Sequence, residues 1–286
     1  MPNNRILGRI EDIEKLNLRQ EKWTQLGLKY IRKIQDGKVI YFIANQDQRF
    51  TEGWITLATT TKSVAFYDPL THKTTPLPTR REGKEIQVYV DLPSGASCFL
   101  MLDTHSNKAN PALSKTPKTV IVKGRWQLDF LEGRPYTPSR TWLDKPISWS
   151  SLSDSASYFA GTARYSMTLD VPQGYNTAKK IILDLGDVRE VADVTLNGQK
   201  IGTAWCLPFQ LEIPKNALKQ GANQIAIEVT NLSANYMRLR DTQQPEWKKF
   251  QEINMVDIQY KPFDASQWKP MPSGLLGEVK LLFFED

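Results

Sequence analysis

The stretch 181–209, IILDLGDVREVADVTLNGQKIGTAWCLPF, constrains the fold most. Ile181, Leu183 and Leu185 alternate with Ile182 and Asp184, Gly186-Asp187 breaks the run, and Val191 to Leu196 begins a second one. Asn197-Gly198 follows, and both residues tolerate the positive φ of a type I′ turn, so this dipeptide between apolar runs is a strong hairpin signal. Lys200 and Ile201 start the return, and Trp205 to Phe209 form a bulky lip interrupted by Pro208. The pattern predicts three strands joined by tight turns at the centre of an antiparallel sandwich. It excludes a phosphate-cradling turn, because the glycines do not lead from a strand into a helix.

Outside that stretch the chain keeps the same grammar. After residues 1–23, a lead segment with a short strand over 5–9 and a brief amphipathic helix presenting Ile10, Ile13 and Leu16, the period shifts to two. LKYIRKI and KVIYFIAN flank Asp36-Gly37, another hairpin signature. WITLATT, SVAFYDP, KEIQVYVDL and ASCFLML follow, so 24–104 is expected to be a small β-sandwich. Residues 105–118 are polar, hold two prolines and lack periodicity; they read as an interdomain linker. In 119–286 strands alternate with two long irregular stretches, 132–157 and 233–272, and Gly221-Ala222-Asn223 reads as a turn between two late strands.

The fold class expected is therefore all-β, with two antiparallel β-sandwich domains. A chain of 286 residues matches about two domains. No helix recurs after strands, which excludes a (β/α)8 barrel on pattern.

Composition removes several functions. The net charge of +6 comes from scattered basic pairs, not a stripe that could track phosphates, so no nucleic-acid partner is expected. No run of about 18 apolar residues occurs, so no membrane partner is expected either. The first residues do not resemble a signal peptide, and an export signal would have to lie on a longer precursor. With two histidines, His72 in a turn and His105 in the linker, a Ser-His-Asp site is not expected and a histidine-rich zinc site is excluded. Cys98 and Cys206 sit in apolar contexts of different domains and read as free thiols. No cofactor is expected, although a structural calcium ion on loop carboxylates and carbonyls is compatible with such sandwiches.

Several side chains are of types that can meet a sugar as well as hold a fold together. Aromatic rings dock the C–H face of a sugar while amides, guanidiniums and carboxylates take its hydroxyls. Trp205 either closes one end of the sandwich or offers such a face, and Trp142, Trp149, Trp247 and Trp268 in long stretches either pin their segments or meet a ligand. Arg189 and Glu190 after a turn, and Asn231, Asn235 and Arg238 after a strand, could share one rim; Asn231 could equally satisfy turn backbone. Asp184, Asp187, Glu190, Asp193, Glu212 and Glu228 supply carboxylates, but alternation puts several on a solvent face, and no catalytic residue is assigned.

The motifs GTARY (161–165), LDLG (183–186), VTLNG (194–198), Gly202 with Trp205, Pro208-Phe209, Gly221 with Asn223, VTN (229–231) and SGLLG (273–277) resemble, in order and spacing, the galactose-binding-like jelly roll of family 2 glycoside hydrolases. VREVADVTLNGQKIGTAWCLPF followed by VTNLSAN resembles the C-terminal part of family 106 α-L-rhamnosidases, and IRKIQDGKVIYFIANQ with FYDPLTHKTTPLP resembles the sandwich before it. The resemblance implies a non-catalytic, carbohydrate-binding portion of a hydrolase, a rhamnose-containing glycan as ligand, a catalytic barrel domain encoded upstream, and a periplasmic or extracellular setting. Rival expectations are an enzyme with its site in the jelly roll and a purely structural or protein-binding module.

Overall fold

The structure, a computed structural model, describes residues 21–47, 49, 51–59, 61–83, 85–103, 117–171, 178–248, 256 and 258–285. The strand expected over 5–9, the amphipathic segment after it, and most of the linker with His105 lie outside the described residues. The chain divides into two compact units, Met1–Ser114 and Lys115–Asp286.

The first unit holds strands β1 (Leu28–Gln35), β2 (Lys38–Asn45), β3 (Thr51–Leu57), β4 (Val64–Asp68), β5 (Lys73–Pro76), β6 (Thr79–Glu82), β7 (Glu85–Leu92) and β8 (Ser97–Leu102). They form a five-stranded sheet ordered β1-β2-β8-β4-β5 and a three-stranded sheet β3-β7-β6, antiparallel throughout. Asp36 and Gly37 take φ of 51° and 74°, so the two-residue hairpin expected there is present. Alternation turns Tyr41, Ile43, Cys98 and Leu100 of one sheet toward Ile55, Leu57, Val88 and Val90 of the other, and Trp23 from a 3-10 turn joins that core.

The second unit holds β9 (Lys118–Ile121), β10 (Trp126–Arg134), β11 (Thr141–Leu143), β12 (Ala160–Val171), β13 (Lys180–Asp184), β14 (Val188–Arg189), β15 (Val191–Leu196), β16 (Gln199–Ala204), β17 (Gln210–Glu212), β18 (Gly221–Thr230), helix α1 (Ala234–Gln243), β19 (Gly274–Leu275) and β20 (Lys280–Phe284). A six-stranded sheet, β11-β10-β12-β18-β15-β16, faces a four-stranded one, β17-β13-β20-β9, with β14 and β19 paired at one end. Their inward residues, among them Trp126, Tyr165, Val194 and Ile227 on one layer and Leu183, Leu281 and Phe283 on the other, make one continuous core. The expected all-β sandwich is what the described residues build, and they build no barrel.

Four local expectations are corrected. The strands expected over 181–209 are present but are not neighbours in one sheet: β13, β14 and the β15–β16 hairpin belong to three different sheets, because Leu185 to Glu190 carries the chain from one layer to the other. The Asn197-Gly198 hairpin itself is present, with φ of 51° and 80°. Residues 132–157 are not one long loop: β10 runs on to Arg134 against β12, β11 follows, and Trp149–Ser151 and Asp154–Ser157 make short helical turns. Residues 233–272 contain α1, whose inward side buries Asn235 and Asp241 beside Leu239, so no apolar stripe marks it in the sequence. Gly221 to Asn223 already belong to β18, and Asn223 is buried. Its Nδ2 donates to the Lys219 and Gly221 carbonyls at 2.7 Å each, while its Oδ1 accepts from Asn197 Nδ2 at 2.8 Å, which ties the hairpin tip to the strand beside it.

Candidate functional site

Register decides which candidates meet. Thr230 at the end of β18 pairs with Thr162 of β12 and Val191 of β15, and Ala192 pairs with Ala204 of β16. Glu190, Asn231 and Trp205 therefore leave three neighbouring strands at the same end of the six-stranded sheet. Ala204 points inward and is buried, so alternation sends Trp205 outward, 60% exposed, with Leu207 at 52%. Trp205 does not close the core. Trp142 lies on β11 opposite Gln127, five strands from β16, about 24 Å at about 4.8 Å per strand spacing. It is exposed, with the Arg125 guanidinium 5.3 Å from its ring, and the structure does not bring it to the other candidates. Trp149 is fully buried among Phe130, Phe159 and Tyr165 and pins its segment.

Asn231 and Asn235 are built into the rim. Asn231 Oδ1 accepts from Gly161 N at 2.9 Å, and its Nδ2 donates to Phe159 O and Ser273 Oγ, each at 2.9 Å. Asn235 Nδ2 donates to Met271 O at 2.9 Å and its Oδ1 accepts from Met271 N at 2.7 Å. Both amides thus satisfy backbone groups and share Ser273, joining β12, β18, α1 and the segment before β19. Two glycines make this approach possible. At Gly274, φ is 102° and a Cβ would collide with Tyr165 Oη; at Gly161 a Cβ would collide with Glu132 O.

On this frame stand charged and aromatic side chains. Arg189 is exposed and grips Asp187 with two nitrogens, Nε to Oδ1 at 2.8 Å and Nη2 to Oδ2 at 2.9 Å, a contact that raises the guanidinium pKa further. Glu190 is half-buried, and its N–H donates to Thr230 O at 2.9 Å. Arg238 lies over Tyr158, 4.7 Å from the ring centre, with its buried Nε lacking a hydrogen-bond partner. Sequence reasoning missed Tyr158, Tyr236, Arg240 and Ser273, because their neighbourhood depends on α1. Arg240 Nη1 donates to Tyr236 Oη at 3.1 Å, and Arg240 with Arg134 draws the Tyr236 pKa below its ordinary value.

Register brings two of the candidate carboxylates together, and each is held by a cation. Asp193 and Glu228 stand directly opposite on β15 and β18, at a Cβ separation of about 5 Å, near the spacing a retaining glycosidase uses. Such a pair needs one protonated member. Thr203 Oγ1 at 2.5 Å and Lys200 Nζ at 2.9 Å hold Asp193 below the usual carboxylate range, and Arg164 pairs with Glu228 at 2.7 Å. Asp184 accepts from Gly186 N and Gln210 Nε2 at 2.8 and 3.0 Å. Among the described residues no three His, Cys, Asp or Glu side chains gather as metal ligands, and no helix is long and apolar enough to cross a membrane. Neither Cys98 nor Cys206 forms a disulfide.

Residues 151–271, within the second unit, match the family model described as glycosyl hydrolase 2 galactose-binding domain-like. A protein of Formosa agariphila that bears the provisional name beta-glucuronidase is 34% identical over 125 residues, 43% of this chain and 11% of that protein. The rhamnosidase from Novosphingobium sp. PP1Y superposes with a TM-score of 0.68 at 26% identity, covering 89% of this chain and 24% of that one. The chain thus spans a quarter or less of these relatives.

Proposed function

We propose that this chain forms the non-catalytic, carbohydrate-facing part of an α-L-rhamnosidase-like glycoside hydrolase and works with a catalytic barrel domain encoded upstream, in the periplasm or outside the cell. The observation that carries this reading is the likeness to the rhamnosidase, which runs through 89% of this chain. Trp205 presents its indole face to a rhamnose-containing glycan, Arg189, Glu190 and Arg238 take hydroxyls around it, and Asn231 and Asn235 hold the rim in shape. Trp142, on another part of the sheet, contributes separately or not at all.

Calorimetric titration of the purified chain with rhamnogalacturonan oligosaccharides tests this. Saturable heat, reduced about tenfold in affinity by Trp205→Ala, is expected, with no turnover of an aryl rhamnoside. Absence of heat would sink the sugar-binding role. A second reading, a docking module without sugar affinity, is favoured by the apolar exposure at that end, where Leu207 and Leu232 are 52% and 51% exposed beside Trp205. Heat absent with oligosaccharide but present with a separately expressed barrel domain would select it.

A further inference from the structure

In β3, alternation sends Ile55 and Leu57 into the first unit's core and turns Glu52, Trp54 and Thr56 to the opposite face; β7 likewise turns Gln87, Tyr89 and Asp91 outward. Register sets Trp54 beside Tyr89, Glu52 beside Asp91, and Thr56 beside Gln87, with Arg80 of β6 on the far side of Gln87. The two rings meet edge to face, centres 5.5 Å apart, and the Arg80 guanidinium lies 4.3 Å from the Trp54 ring centre. Gln87 Nε2 donates to Thr56 Oγ1 at 3.0 Å and Glu82 Oε2 at 2.6 Å, Arg80 Nε donates to Gln87 Oε1 at 2.5 Å, and the Tyr89 hydroxyl donates to the Glu52 carboxylate. A half-buried tryptophan and tyrosine thus lie on the outer sheet face inside an ordered frame of hydroxyl, amide and carboxylate groups.

We propose that this outer face of the three-stranded sheet is a second glycan-binding platform, selective for neutral polysaccharides. A pyranose ring is amphipathic: its C–H face lies against an aromatic side chain while its hydroxyls donate to carboxylates and amides at the edge. Trp54 and Tyr89 supply the first surface, and Glu52, Glu82 and Gln87 the second. Glu52 and Glu82 are the acceptors engaged by Tyr89 and Gln87 on this face, so a carboxylated or sulfated chain would bring its own negative charge against them. An open sheet face accommodates an extended polymer rather than enclosing a single sugar. The platform belongs to the first unit and does not depend on the role given to Trp205.

Affinity electrophoresis of the full chain, in native gels cast with xyloglucan, galactomannan, glucomannan or polygalacturonate, reads the platform directly. Retardation by at least one neutral polymer and none by polygalacturonate is expected. Trp54→Ala should weaken the apparent affinity by about tenfold or more, while Leu70→Ala, exposed in the turn between β4 and β5 of the other sheet, leaves it within about twofold. Tyr89→Phe keeps the ring and removes the hydroxyl that engages Glu52; a loss of about twofold to fivefold in this variant decides the matter if Trp54→Ala does not fold. Free migration in all three neutral gels overturns the platform. Retardation that survives Trp54→Ala, or that disappears with Trp205→Ala instead, overturns it too, the latter moving the ligand to the jelly roll. A folded Trp54→Ala that only lowers the denaturation midpoint marks the ring pair as a cross-strand support without a ligand.

Discussion

In the first unit Glu21 gathers donors around one buried carboxylate, as Asp241 of α1 does in the second; at the rim of the second unit the work falls instead to two neutral amides. Glu21 is 1% exposed, and its two oxygens accept from Trp23 Nε1 at 3.1 Å, Tyr41 Oη at 2.7 Å, Ala58 N at 2.9 Å and Arg32 Nη1 at 3.4 Å. All four partners are donors, so the node depends on an acceptor at both oxygens. Asn231 and Asn235 instead give and take at once, which lets them close the gap between a strand end, a helix and a returning segment where both N–H and C=O groups need partners. A carboxylate gathers donors around one point, whereas amides stitch unlike backbone groups together. The second unit needs stitching because its rim is assembled from distant pieces of chain.

The sharpest way to break the comparison is at Gly274. Its replacement by Ala would put a methyl into Tyr165 Oη and Trp149 from a positive-φ position, and the cost should be about 3 kcal/mol or more. Hydrogen exchange should show lost protection in β12 and β18 while β2 and β8 keep theirs; equal loss in both units would contradict the separation of the two nodes. Next in size is Glu21→Gln, which turns one acceptor into a donor facing donors. A loss of about 3 kcal/mol is expected, seen as early exchange in β2 and β3; an unchanged midpoint would mean that the four bonds contribute nothing net. The smallest effect is alkaline. Burial pushes the Cys98 thiol of the first unit up to about 12, so its neutral form is the folded one. Stability from this group is complete below the unfolded value of about 8.5 and is lost as pH rises from there toward the folded value. In the second unit burial raises Tyr165, whose loss begins only near the ordinary tyrosine value of about 10. Guanidinium denaturation at pH 8 and 9.5 should therefore weaken the first unit selectively, and Cys98→Ala should remove that difference; a drop of the same size in Cys98→Ala would reassign it.

Much of the fold could be read along the chain. Asp36-Gly37 and Asn197-Gly198 turn where expected, and the alternation in WITL and KEIQVYV already separates Ile55 and Val88 from Trp54 and Tyr89. That same alternation marks Trp54 and Tyr89 as outward, but only the β3–β7 register makes them a pair. Helix α1 escaped because its buried side carries Asn235 and Asp241, whose partners Met271 and Ala265 lie far along the chain. Trp205 could not be assigned to core or surface until the pairing of Ala192 with Ala204 fixed which side of β16 faces inward.

The sequence by itself determined the all-β class and the positions of both tight hairpins, since period-two burial and a positive-φ turn depend on neighbours a few residues apart. Only the tertiary structure decided which candidates share an end of the jelly roll, that Asp193 and Glu228 oppose each other with a cation at each, and that two asparagines are spent on backbone. Those outcomes depend on strand register between residues tens of positions apart, and a chain read one residue at a time carries no local signal of register.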